Sequence, residues 1–123
     1  MNDQNDFENF KALNGLSEDA LLFNFGLSLE SLDFGAGRAA RGDVIRRARH
    51  WLSEQKPLLA QRICSDPRVV ALRSKETSDE YDLFVVICDI IGSMHGGLPV
   101  ATIAMLLLRM GLNALCGKPE QSL

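Results

Sequence analysis

The segment 98–116 is the most restrictive feature of this sequence, because its nineteen residues carry a single charge, Arg109. The run before it, 81–94, is nearly as apolar, and only His95-Gly96-Gly97 separates the two. This pattern predicts two helices joined by a tight glycine turn. Such a pair must be buried in the protein's own core, in a partner or in lipid.

Shorter helical signals surround this hairpin. Ser17 is a suitable N-cap for one helix and Asp43 for another, which contains Trp51, while Thr77 and Glu80 have the spacing of a capping box. We predict an all-α, compact bundle of about five helices, with residues 1–123 forming a single domain. Its parts are an acidic, Phe-rich segment 1–34, a basic helical segment 43–75 and the apolar hairpin 78–116.

Some local patterns fit two structures. Residues 27–34 have apolar spacing typical of a helix but also the alternation of a strand, and the two valines of 68–74 permit a strand as well. Pro57 either kinks the Trp51 helix or starts a new one.

The three cysteines Cys64, Cys88 and Cys116 are widely spaced and odd in number. This argues against a disulfide framework and against a cysteine-only zinc site. The acidic, polar start of the chain lacks the pattern of a signal peptide. We therefore expect a cytoplasmic protein that does not need disulfides.

The net charge of −3 conceals strong segregation, since residues 1–34 carry −6, residues 35–75 carry +7 and residues 76–123 carry −4. Within the basic part lies an arginine cluster: Arg38, Arg41, Arg46, Arg47 and Arg49. Guanidinium groups suit phosphates or carboxylates, so the cluster predicts contact with an acidic protein surface, with nucleic acid, or only with solvent and the chain's own acids. A sequence pI of about 5.3 disfavours general nucleic-acid binding.

The hairpin is a poor candidate for membrane insertion, because its first helix is short and contains Asp82 and Asp89. Arg109 in the second would cost about 2.5–3.5 kcal/mol in lipid. In a water-soluble antiparallel hairpin, Asp82 and Arg109 come close enough to form an ion pair, which we predict. Asp79, Asp82, Asp89 and Ser93 share one narrow face of the first helix.

Catalytic patterns are scarce. Cys88 and His95 are separated by seven residues, but a cysteine in so apolar a run is more often an inert core residue than a nucleophile. Two histidines without matching carboxylates do not indicate a metal site. We expect a non-enzymatic protein with no cofactor, no metal and no small-molecule substrate.

The sequence thus predicts a small interaction module, acting as a regulator, adaptor or small subunit of a larger assembly; a bacterial or phage accessory protein is compatible with this size. A partner or a second copy would cover the last helix, with Leu106, Met110 and Leu112 as apolar anchors. The arginine cluster would be a separate, salt-sensitive contact. The alternative is a nucleic-acid-binding protein that uses this arginine face.

Overall fold

A computed structural model describes residues 3–31, 40–74 and 79–117 of the chain. All regular structure in these ranges is helical, which confirms the prediction of an all-α, compact bundle. The described residues form seven helices: α1 Asp3–Asn14, α2 Glu18–Ser31, α3 Arg41–Cys64, α4 Pro67–Ser74, α5 Glu80–Met94, α6 Val100–Met110 and α7 Leu112–Cys116. The ambiguous residues 27–31 and 68–74 are therefore helical, not extended, whereas 32–34 lie outside the described residues.

Helix starts follow local capping chemistry, with two corrections. The Ser17 hydroxyl accepts a hydrogen bond from the Ala20 N–H at 3.1 Å, as predicted. Asp43 is not an N-cap, because α3 begins at Arg41 and places Asp43 in its first turn. Asp79 caps α5 by accepting from the Tyr81 N–H at 3.1 Å, so Thr77, which lies outside the described residues, is not the N-cap.

The apolar C-terminal stretch is not one continuous helix. Gly111 has a φ of 96°, which ends α6 at Met110 and turns the chain into the short α7. Only glycine adopts this backbone conformation without strain. The predicted hairpin is thus formed by α5 and α6, which pack against each other. Pro57 lies inside the single helix α3 and starts no new one.

One apolar cluster draws buried side chains from every helix. It includes residues of the acidic, Phe-rich segment, such as Phe10, Leu21 and Phe25, together with Ile87 and Ile103 of the hairpin. The rings of Phe10 in α1 and Phe25 in α2 therefore belong to the same core as α5 and α6. Burial of large aliphatic and aromatic groups, at about 1.5–3 kcal/mol each, is the main stabilising term.

Helices α2 and α3 approach unusually closely at Gly26. A Cβ atom on Gly26 would overlap the backbone carbonyl of Val44 and lie 2.5 Å from its Cγ1. Gly26 is buried, and Val44 is 2% exposed. The absence of a side chain at position 26 therefore sets the distance between the two helices.

A disulfide joins Cys64 at the end of α3 to Cys116 in α7, with a Cα–Cα distance of 5.6 Å. The wide spacing and odd number of the cysteines argued against a disulfide framework, yet one disulfide forms, because distant positions in the sequence meet where α7 folds back onto α3. Arg73 of α4 also holds this end of the chain, since its guanidinium donates to Asn113 Oδ1 at 3.1 Å and to the Gly117 carbonyl. A cytoplasmic location stays a prediction, and disulfides are more typical of oxidising compartments.

Among the described residues, we find no helix with the length and apolar character needed to cross a bilayer.

Candidate functional site

The arginine cluster is largely matched by carboxylates and rings of the same chain. Arg49 lies 3.3 Å from Glu18 and 3.4 Å from Asp19 on α2, and Arg46 pairs with Asp43 one turn earlier on α3. The Arg41 guanidinium lies over the Phe23 ring, 4.5 Å from its centre.

Arg47 and Arg38 are the two remaining arginines of the cluster. Arg47 is exposed. Arg38 lies outside the described residues. The acidic N-terminal part of the chain thus supplies counter-charges to the basic part, and the segregation seen in the sequence is partly resolved by folding.

The three predicted apolar anchors differ in exposure. Leu106 is only 5% exposed and belongs to the chain's own core, so its prediction as an outward-facing anchor was wrong. Helices α1 and α2 both pack against α6, which the sequence alone does not reveal. Met110 is 37% exposed, and Leu112 is partly buried.

A small cleft brings several of the predicted residues together between α2, α3 and α6. Its volume is about 380 Å³, and its walls include Leu106 and Met110 beside Arg49, Lys56 and Arg109. Because Glu18 also lines the cleft and pairs with Arg49, the positive charge there is partly neutralised. The cleft is therefore a weak candidate for an anion site.

Arg109 does not pair with Asp82, contrary to prediction. Its guanidinium instead donates to the carbonyls of Leu13 at 3.3 Å, Asn14 at 3.0 Å and Leu16, just at the end of α1. Carbonyls at a helix C-terminus lack partners within the helix and carry partial negative charge. Arg109 thus fastens α1 to α6, which leaves Asp82 without an ion pair in the described structure.

An extended concave surface runs along α5. Two adjoining cavities of about 730 and 750 Å³ share the lining residues Arg68, Val85 and Val86. We call the two cavities together the α5 groove. The remaining lining residues come from α1, α4, α5 and α6: Phe7, Asn9, Ala71, Leu72, Tyr81, Asp82, Phe84, Cys88, Asp89, Gly92, Ser93, Val100 and Ala101.

The walls of the α5 groove are mainly apolar and partly open to solvent. Phe7 is 42% exposed and Val85 is 37% exposed, although both are large apolar residues. The rings of Phe7 and Phe10 pack edge-on against Tyr81, with centroids 5.2 and 5.5 Å apart, so the aromatic end of the groove is ordered by its own contacts. Such a preformed apolar concavity is typical of a binding surface.

Arg68 at the middle of the groove is held by two carboxylates. It lies 3.0 Å from Asp66 and 2.9 Å from Asp89. The hydrogen bond from the Arg68 side chain lowers the pKa of Asp66 below its ordinary value of 3.8. The same bond, with that to Asp89, raises the pKa of Arg68. Asp66 and Arg68 are therefore charged at neutral pH, and the arginine is already engaged.

Cys88 and His95 lie in different surroundings. Cys88 is half-buried and lines the α5 groove, whereas the His95 ring packs edge-on against Trp51 at 5.1 Å between centroids. The Nε2 atom of His95 is buried without a hydrogen-bond partner. Across the described ranges, no three His, Cys, Asp or Glu side chains are grouped so as to hold a metal ion.

The α5 groove was not predicted, yet part of its signal is in the sequence. Asp82, Asp89 and Ser93 interrupt an apolar helix on one narrow face, and the structure places all three in the groove. Its other walls, from Phe7 to Ala101, come from distant parts of the chain.

No model of a known protein family matches the chain, and no curated protein or solved structure matches it either.

Proposed function

We propose that this protein is a non-enzymatic interaction module, a regulator, adaptor or small subunit, that binds a partner protein in the α5 groove. The observation that carries the proposal is the pair of adjoining apolar cavities along α5, with Phe7 and Val85 left open to solvent. Covering apolar surface yields about 25 cal/mol per Å², so a partner that fills the groove is favoured.

A matched pair of lysine substitutions tests the proposal. Val85→Lys places a charge in the groove, with Asp82 and Asp89 at helical spacing to accommodate it. Leu58→Lys is the control, because Leu58 is 53% exposed on α3 and does not line the groove. The tagged full-length variants are expressed in the protein's native host, and co-purified proteins are identified by mass spectrometry.

We expect a defined partner to co-purify with the wild type and with Leu58→Lys, and to be lost with Val85→Lys. Both variants should keep the helical circular dichroism of the wild type. Retention of the same partner by Val85→Lys, or the absence of any partner, would overturn the proposal. If the companion is a second copy, the mass of the protein in solution doubles and Val85→Lys restores the monomer.

The alternative function, nucleic-acid binding through the arginine cluster, has less support, since Arg46 and Arg49 already pair with carboxylates. Salt distinguishes the two. Binding through phosphates weakens by orders of magnitude between about 50 and 200 mM salt when many contacts form, whereas an apolar protein interface changes little. Binding of a labelled DNA or RNA duplex that is lost in Arg46→Gln and Arg49→Gln would favour the alternative.

A further inference from the structure

The α5 groove has the dimensions of a helix-binding site. Its lining residues on α5 extend from Asp82 to Ser93, which spans about 17 Å at about 1.5 Å per residue. A partner helix of three turns has the same length. An amphipathic helix laid in an apolar groove is a common mode of peptide recognition, because it buries a stripe of side chains while satisfying its own backbone.

The charges of the groove differ between its ends. Arg68 in the middle is neutralised by Asp66 and Asp89. Asp82, at the end beside Phe7 and Tyr81, is exposed and makes no ion pair in the described structure. At the opposite end, Arg62 donates to Ser93 Oγ at 3.5 Å.

Lys11 and Glu8, two further charged residues near Phe7, do not change the net charge at the Asp82 end of the groove. Lys11 lies over the Phe7 ring at 5.1 Å, but it also pairs with Glu8 at 3.8 Å. The charge without an ion pair at the Asp82 end is therefore negative and lies on the carboxylate of Asp82. A cation on the ligand is favoured at this end and an anion is not.

From the apolar groove and the exposed carboxylate of Asp82 at its end, we infer that the α5 groove receives an amphipathic helix of a partner protein. This helix carries a lysine or arginine against Asp82. The inference rests on the proposed function and adds the chemical class of the partner. Apolar side chains of that helix fill the space around Val85 and Val86. Its cation meets the carboxylate of Asp82, which fixes the register of the helix in the groove.

Two synthetic peptides test the inference with the full-length protein. Both are capped 14-residue amphipathic helices with the same leucine stripe, and they differ only in the first turn, which holds two lysines in one and two glutamines in the other. Fluorescence anisotropy measures their affinities for the wild type, Asp82→Asn, Val85→Lys and Leu58→Lys.

We expect the lysine peptide to bind the wild type about threefold to fivefold more tightly than the glutamine peptide, as for an exposed ion pair. This advantage should vanish in Asp82→Asn and at high salt, while the affinity of the glutamine peptide stays the same. Val85→Lys should abolish binding of both peptides, and Leu58→Lys should not affect it.

Two results would overturn the inference. If both peptides bind equally in a manner sensitive to Val85→Lys, the selection for a cation is wrong, while the proposed interaction at the groove stands. If neither peptide binds, a helix is not the occupant, and the co-purification experiment with Val85→Lys separately decides whether the groove is an interface at all.

Discussion

The α2–α3 face and the α5 groove differ in how completely their side chains are paired or covered by the rest of the chain. On the α2–α3 face, Gly26 allows close contact and Arg49 meets carboxylates of α2, so the chain completes its own interactions. Along α5, apolar side chains such as Val85 stay partly open, and Asp82 has no ion pair in the described ranges. Charge that the chain neutralises itself is weak support for a partner, whereas apolar surface that it leaves open is stronger.

The largest effect should appear at the cysteines, of which Cys88 lies in the α5 groove while the pair Cys64–Cys116 joins α3 to α7. Cys116→Ser opens the link between α3 and α7, which closes a loop with a sequence separation of 52 residues. The unfolded chain gains freedom, so we expect a loss of about 4 kcal/mol in the free energy of unfolding. Urea unfolding without reductant measures it. Cys88→Ser in the groove is the control and should cost far less; equal stabilities of the two variants would contradict the link.

Two glycine substitutions sharpen the packing contrast. Gly26→Ala should lower the free energy of unfolding by about 1–3 kcal/mol, because the new methyl group overlaps Val44. Gly92→Ala, in α5 at the groove, meets no atom within 4 Å and should stabilise the helix by up to about 1 kcal/mol. Thermal unfolding of both variants checks this, and a Gly26→Ala protein as stable as the wild type would refute the close approach.

Arg109 provides the third test, because it fastens α1 to α6 outside both regions. Arg109→Gln should cost about 1 kcal/mol, since three carbonyls at the end of α1 lose a charged donor. Lys56→Gln, a lysine of the same cleft with no ion pair in the described structure, should change stability little. If Asp82→Asn instead caused the same loss of stability as Arg109→Gln, this result would support the ion pair between Asp82 and Arg109 that the sequence predicts.

The smallest effect concerns Asp66, which orders Arg68 in the groove. Its pKa lies below 3.8, so its ion pair adds stability above that pH, and the contribution disappears as the pH falls through the lowered pKa. The stability difference between the wild type and Asp66→Asn should thus be constant near neutral pH and shrink towards zero in strong acid. Unfolding curves at several pH values measure it, and a difference that grows in acid would contradict the sign.

The sequence was sufficient for several features that depend on neighbouring residues, although the N-caps of α3 and α5 are not the predicted ones. The apolar runs around His95-Gly96-Gly97 predicted the α5–α6 hairpin, and Ser17 predicted the start of α2, because periodicity and capping act over a few residues. Features that depend on distant contacts were missed. Arg109 donates to carbonyls at the end of α1 instead of pairing with Asp82, and Cys64 forms a disulfide with Cys116. Both contacts depend on how α1 and α7 pack, which no local pattern specifies.

The same limit applies to the candidate site. The polar strip of α5 was visible as a pattern, but the opposite walls of the groove come from Phe7, Arg68 and Val100, far away in the chain. The predicted anchor Leu106 failed for a related reason, since α6 packs against α1 and α2 and Leu106 belongs to the core. Met110, nearer the end of α6, stays partly exposed.

The claim that the α5 groove is an interface is tested most directly by site-specific photocrosslinking in the native host. A benzophenone amino acid replaces Val85 in one full-length variant and Leu58 on α3 in another. We expect a discrete adduct of defined mass from position 85 and none of that mass from position 58. The absence of an adduct from position 85, or the same adducts from both positions, would contradict it.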